Sequence, residues 1–455
     1  MKAFLAALLR AAGMRFRGTQ KSEVARDQFL KHKANADLAV KSLLDEVDAR
    51  EDFLEHKADA EKGDALAQAA LGFSFYYGEG VAQDYAEAVK WFRKAAEQGN
   101  AVAQFTLAIA YREGQGIERD AGKAARWFCK AAEQGDAAAQ SNLAFCFADG
   151  EGVSQDSVEA AKWFRKAAEQ GNATSQHNLA FMYETGHGVP QDYSEAATWY
   201  RMAAEQGNAG SQNGYGALFE NGNGVAKDYV EALKWYRRAA DQGSMEAQSN
   251  LGDCYRIGKG VPQDYAEAAK WHLKAAEQGC IHAQSLIATY YAQGMGVDQD
   301  HAEAAKWFCK AAEQGDPGAQ FRLGCCYEDG EGVESNLTQA AEWYRKASEQ
   351  GYARAQFALG GCYLSGEGVP ENKAEALKWY GRAAEQELGH AQYMLGLLSL
   401  PDMPQAYKWY QLAADQGYEK AEAKATEIAA LMSPSEYKAA KTIYREFKDK
   451  IAAKQ

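Results

Sequence analysis

The sequence predicts an all-α fold, a solenoid of ten tandem helix–turn–helix repeats of about 36 residues with helical caps at its ends. Two observations predict it. Glycine recurs every 36 residues at Gly63, Gly99, Gly135, Gly171, Gly207, Gly243, Gly279, Gly315 and Gly351. All ten tryptophans stand in one column of that register: Trp91, Trp127, Trp163, Trp199, Trp235, Trp271, Trp307, Trp343, Trp379 and, after a six-residue deletion, Trp409. A random scatter of tryptophans does not align in this way. One such hairpin cannot hide its own apolar stripe, so the units must stack.

Residues 1–62 precede the array and are read as a helical N-terminal cap or arm. Lys2, the apolar run Ala3 to Leu9 and the arginines Arg10, Arg15 and Arg17 loosely resemble a secretory leader over residues 1–20. The run is short for one, and a basic amphipathic start of a cytoplasmic chain is the favoured reading. Ala25 to Ala36 is echoed by Ala49 to Ala60. That offset of 24 residues turns the copies about two-thirds of a turn apart on a straight helix, so they do not share a face. Two capping helices are expected here, with a partner-binding arm as the alternative.

Within the array (63–417) each repeat opens with a helix. Leu107 and Tyr111 share a face four residues apart, and Ala108 between them is small enough to admit a neighbouring helix. A Gly-x-Gly-Val loop such as Gly150 to Val153 ends this helix, because glycine tolerates positive φ. The second helix opens with Asp-Tyr-x-Glu, as in Asp264 to Glu267, a pattern resembling a capping box. Ala268, Trp271, His272 and Ala275 then form a stripe at helical spacing, expected to be buried. In the tenth repeat Glu387 replaces the phase glycine and the loop loses six residues, which predicts a tighter turn around Leu400 to Pro404. Beyond the array (418–455) capping helices are expected. Ser433, Pro434 and Glu436 mark a helix start, with Tyr437, Tyr444, Phe447 and Ile451 on its inner face.

Charge and composition narrow the function. A net charge of -13 disfavours a nucleic-acid partner. A mean hydropathy of -0.53 and the lack of an apolar run long enough to span a bilayer argue against a transmembrane segment.

Chemistry is sparse. The eight cysteines contain no C-x-x-C pair. Cys146, Cys254, Cys326 and Cys362 share a column held elsewhere by Ser74, Ala110, Met182, Leu218 and Tyr290, which fits small core residues. Cys129 and Cys309 fall in a column dominated by arginine and are expected to be exposed. Ser435 and Lys438 match S-x-x-K, but neither S-D-N nor K-T-G accompanies them, and helix capping accounts for the serine-rich start. The glycine loops follow a helix and lack the third glycine of a dinucleotide fingerprint. His272 is read as core. No catalytic, metal or cofactor-binding residue is assigned.

The residues L-[GA]-x-x-Y, G-x-G-V-x-x-D-Y-x-E-A-x-K-W-[FY]-x-K-A-A-E-Q-G and A-x-A-Q closely resemble the Sel-one-like repeat (SLR) family, which is related to the tetratricopeptide repeat. The resemblance implies a right-handed α/α superhelix whose first helices line a concave face, and a non-enzymatic scaffold or adaptor that binds a protein or peptide there. It also implies that the cysteine-rich branch staples hairpins at positions equivalent to Ala96 and Gln104. Because this chain keeps Ala (Ser at Ser348) and Gln in those columns, no structural disulfide and a reducing compartment are expected. An exported form engaging host or envelope proteins and, further off, a β-lactam hydrolase are the alternatives.

On the implied face lie the columns three, six, ten and thirteen residues after the phase glycine. They vary from repeat to repeat. Phe73, Ile109, Phe145 and Phe181 form an apolar ladder flanked by Tyr76, Phe105 and Arg112. Phe321, Phe357 and Tyr393 form a second, near Arg322 and Arg354. Polar residues fill the middle: Asn213, Glu220, Ser249, Asp253 and Arg256. Exposed aromatics with arginine resemble interface hot spots, and packing between neighbouring units is the competing expectation for the same rings.

Overall fold

The computed structural model describes residues 49–453, so the stretch 1–20 that loosely resembles a leader and the Ala25–Ala36 copy of the duplication lie outside the described residues. Among the described residues there is no strand. The chain divides into two units, one ending at Gln191 and one beginning at Asp192. In the first, a helix over 49–61 precedes Ala65–Tyr77, Tyr85–Glu97, Ala101–Glu113, Ala121–Glu133, Ala137–Asp149, Ser157–Glu169 and Ala173–Thr185. The second begins with Tyr193–Glu205 and repeats the same alternation of thirteen-residue helices as far as Lys373–Glu385. Within each unit, successive helices of the array pack on their neighbours, giving the stack of pairs that the period predicts.

Side-chain caps fix where most of the helices begin. Asn100 Oδ1 accepts from Ala103 N at 2.9 Å, opening a first helix. Asp264 Oδ1 accepts from Ala266 N and Glu267 N at 2.9 and 3.0 Å, opening a second. The capping box expected of Asp-Tyr-x-Glu forms only halfway. Glu267 does not return to the cap; it binds Lys270 Nζ at 2.9 Å and Trp271 Nε1 at 3.0 Å, because an i+3 lysine and an i+4 indole compete for it. The reciprocal box is complete at Ser433, where Ser433 Oγ accepts from Glu436 N and Glu436 Oε2 accepts from Ser433 N at 2.8 Å.

The tryptophan column is not the deepest layer. Phe92 and Phe128 are fully buried, as are Tyr236, Tyr344 and Tyr410, and each directly follows its tryptophan. Trp127, Trp163 and Trp343 are only half-buried. The ammonium groups of Lys130, Lys166 and Lys346, one turn on, lie 4.1, 3.8 and 3.6 Å from their ring centres, a cation–π cover over the exposed face. At these three positions the tryptophan is a lid and its neighbour the core, whereas Trp91, Trp235, Trp271, Trp307 and Trp379 are themselves buried. The Gly/Ala column exists for that neighbour: a Cβ on Gly324 would fall 2.5 Å from the Tyr344 ring.

Buried glutamines join the repeats. Gln104 Nε2 donates to the Ala96 carbonyl at 3.0 Å, and its Oε1 accepts from Gln134 Nε2 at 2.7 Å. The amide thus ties the preceding second helix to the one in its own repeat, at the pair of positions that the resemblance associates with a disulfide staple. The same two bonds recur at Gln140, Gln212 and Gln320, among others. At Gln392 only the bond to Ala384 O, 3.2 Å, remains, and Oε1 has no hydrogen-bond partner.

The tenth repeat has the tight turn expected of it. Its first helix, Gly389–Leu398, has ten residues, and Met403–Asp415 follows at once. Glu387 takes φ 61°, the one non-glycine residue with positive φ among the described residues. The helices Glu419–Leu431 and Pro434–Ala452 both pack on Met403–Asp415. Phe447 meets Trp409 at 4.9 Å and Tyr437 meets Tyr407 at 5.4 Å. Lys408 Nζ sits 3.8 Å from the Trp409 ring, and burial brings its pKa down to about 8.

Candidate functional site

In the first unit the expected ladder is a half-buried veneer on the core, not a row of free rings. Phe73 stands edge-on to Phe92 at 4.9 Å, Phe105 is tilted on Phe128 at 5.8 Å, and Phe145 is edge-on to Phe164 at 5.0 Å. Ile109 packs against the same core. Phe73, Phe105 and Phe145 thus pack within their own helix pair, and not, as the competing expectation had it, against a neighbouring repeat. Tyr76 Oη donates to Gln115 Oε1 at 2.8 Å, and Arg112 Nη1 to Asn142 Oδ1 at 2.6 Å. Phe181 differs from the rest, with 52% of its surface exposed.

In the middle of the array, Arg256 is committed inside the protein. Its Nε and Nη2 donate to Asp253 Oδ1 at 2.8 and 2.6 Å, while Asp253 Oδ2 lies 3.1 Å from His282 Nε2. Burial pushes the Asp253 carboxyl up, but hydrogen bonds from His282 and Arg256 outweigh it and bring the pKa to about 2. His272 lies behind them, fully buried, with Nδ1 3.2 Å from Tyr290 Oη and Nε2 3.8 Å from Asp253 Oδ1. Burial lowers its pKa to about 4 despite the attraction of Asp253. Position 272 is core, as read from the sequence, and it makes stability depend on pH. The unfolded histidine, near 6.5, takes up a proton before the folded one does, so its contribution is present above pH 6.5 and lost as pH falls towards 4. The stability difference between wild type and His272→Phe should therefore fall by about 2–3 kcal/mol from pH 7.5 to 4.5. Urea unfolding at both pH values measures it; a constant difference would refute it.

In the last three repeats the pattern of the face is inverted. The aromatics move to the sixth position, as Phe321, Phe357 and Tyr393, and the tenth position shrinks to Cys325 and Gly361. Phe321 packs on Tyr344 at 5.7 Å and Tyr352 at 5.6 Å. Phe357 packs on Tyr380 at 5.4 Å and His390 at 6.1 Å, and Tyr393 on Tyr410 at 5.4 Å and Tyr418 at 5.1 Å. A groove of about 720 Å³ opens where the small residues stand. Phe321 and Phe357 line it together with Tyr344, Tyr380, Arg354 and Glu328, and His390 and Glu367 also border it. Arg354 is exposed. Arg322 is exposed too but is not part of this groove; it borders a smaller recess with His301, Phe308 and Glu331. The sequence reading missed Gly361, His390, Glu328 and Glu367. The signal available for them was the drop in side-chain size in the tenth column.

All eight thiols are free. Burial pushes Cys146, Cys326 and Cys362 up to about 11 and Cys254 to about 12. Cys129 and Cys309 are half-buried rather than exposed, and each donates to a glutamate one turn on, Glu133 at 3.4 Å and Glu313 at 3.5 Å. Ser435 and Lys438 are exposed, and Ser435 Oγ lies 3.1 Å from Ser433 Oγ in the first turn of the helix. Among the described residues no helix is long and apolar enough to cross a membrane.

The Sel1 repeat family matches ten successive segments: 65–100, 101–136, 137–172, 173–208, 209–244, 246–280, 281–316, 317–352, 353–388 and 387–418. Among solved structures, the chain is similar to c5321, a protective antigen of uropathogenic Escherichia coli strains that displays an SLR fold. The two share 32% identity over 88% of this chain and 95% of that one, with a TM-score of 0.59. It is also similar to a Sel1 repeat protein from Oxalobacter formigenes, at 34% identity over 72% of this chain and 93% of that one, with a TM-score of 0.53. Among curated protein sequences, none matches the chain.

Proposed function

The chain belongs to the Sel1 repeat family, and on that premise we propose that it is a non-enzymatic scaffold that holds a segment of a partner protein on the face formed by its first helices. One observation carries the reading. The recurring columns are consumed by packing, capping and the glutamine pairs, whereas the columns that vary produce an apolar groove of about 720 Å³ between Phe321 and Phe357 and an exposed ring at Phe181. Surface apolarity of this kind, with arginine beside it, marks protein interaction sites.

Pull-down with the full chain, read by mass spectrometry, tests the reading. A variant of the first-helix face, Phe181→Ser with Gly361→Phe, should lose the specific partner while its thermal melt stays within a few degrees of wild type. A variant of the second helices, Lys162→Glu with Lys306→Glu, should retain it; both lysines are exposed and paired only with a glutamate three residues before them. The opposite pattern would place binding on the other face and defeat the proposal.

A further inference from the structure

The groove has a shape and a charge order that specify what fills it. In the first unit the tenth column holds Phe73, Ile109, Phe145 and Phe181; at Gly361 that place is vacant. A Cβ there would meet only Tyr380 Oη, at 3.7 Å. The vacancy has the place and surroundings of an aromatic side chain, with the Phe321 and Phe357 rings as walls and Tyr344 and Tyr380 at the base.

The two edges carry opposite charge. Arg354 and His390 stand at the third position, at the start of their helices. Tyr352 and Leu388 precede these helices and provide no side-chain cap, whereas Asp64, Asn100, Asp136 and Asp316 do so for other first helices. A negative group is favoured at that edge. At the far edge stand Glu328, which accepts from Tyr344 Oη, and Glu367, held by Ser365 Oγ at 3.1 Å. From the third to the thirteenth position a helix rises about 15 Å, and an extended chain covers that in four or five residues at about 3.3 Å each.

We propose that this groove takes an extended segment of a partner protein in which an acidic and a basic residue flank an aromatic one, in the order acid–x–aromatic–x–base. The acidic side chain meets Arg354 and His390, the aromatic ring fills the space beside Gly361, and the basic side chain meets Glu328 and Glu367. This assignment rests on the reading of the first-helix face as the binding face.

The test uses the full chain and a fluorescein-labelled peptide, Gly-Ser-Glu-Ala-Phe-Ala-Lys-Ser-Gly, followed by fluorescence anisotropy. Saturable binding is expected, weakened at least tenfold by replacing the peptide's Phe with Ala and at least fivefold by replacing its Glu with Lys. Gly361→Phe should abolish binding with an unchanged melt, since the equivalent place holds phenylalanine in three other repeats. Arg354→Glu should reverse the preference, so that the Lys–Phe–Lys peptide binds better than the parent. No saturable binding up to 1 mM, equal binding of the Phe and Ala peptides, or wild-type binding by Gly361→Phe would each overturn the assignment. If the peptide fails while the first-helix variant still loses its partner in the pull-down, only the acid–aromatic–base assignment falls. If the pull-down shows no dependence on that face, the scaffold reading falls with it.

Discussion

Gly332→Ala should destabilise the protein by about 3–5 kcal/mol, and Gly330→Ala, two residues earlier in the same loop, by about 1 kcal/mol. Both glycines have left-handed backbones, φ 75° and 72°. The backbone penalty is therefore the same at the two sites, and only the surroundings differ. A Cβ on Gly330 would rest at 3.4 Å from the Ser335 Cβ, a close but tolerable contact. A Cβ on Gly332 would overlap the main-chain carbonyl of His301, the first residue of the preceding repeat's second helix. That carbonyl is main chain and cannot swing aside, so the loop must lift off the earlier repeat. Because each repeat is stabilised by its neighbours, the loss should appear as a broadened or divided urea transition as well as a shifted midpoint. Equal costs at the two glycines would show that no close approach between repeats exists there.

Phe128→Ala should cost about 4 kcal/mol, and Trp127→Ala, although it removes the larger side chain, about 2 kcal/mol. Phe128 is fully buried and has Phe105, from the first helix of its own pair, against it at 5.8 Å. Its removal leaves a cavity that thirteen-residue helices, capped at both ends, cannot collapse around. Trp127 is half-buried and already trades part of its hydration for the Lys130 ammonium, so truncation opens a surface notch that water refills. Chemical unfolding of the two variants decides the order. A larger loss from Trp127→Ala would restore the tryptophan as the core residue.

The register of the repeats was legible because it depends on local chemistry. Glycine at positive φ, aspartate before a helix and serine, proline and glutamate at Ser433–Glu436 act within a few residues of themselves, and the structure uses them as read. The family and the all-α fold followed from those columns. Ranking two adjacent aromatics was harder. Trp127 and Phe128 differ by 100° around the helix, and the lysine one turn on does not rank them, since Trp91, Trp271 and Trp307 carry the same lysine and are buried. The partner of Glu267 was misjudged for a similar reason, since three donors were within its reach and sequence does not rank them. The groove was legible only in outline. Phe321, Phe357 and Arg354 were found by column, but the space between them is created by what Gly361 lacks, and an absent side chain leaves no motif.

The glutamine pairs also act as a gauge of length. Each closes across 30 residues within a repeat and reaches back eight residues to a backbone carbonyl, so a single inserted residue between them would leave an amide out of reach. A whole repeat offers the same donor and acceptor at each end as the repeat it would replace. An array built on such a joint can gain or lose members only in complete copies, and each unit can diverge on its variable face without altering the joint. The six-residue deletion before Met403 breaks that rule once, and there the pairing stops: Gln392 Oε1 is left with no partner. The helices that follow this repeat pack on Met403–Asp415 without a glutamine of this kind, so the joint is used only between members of the array.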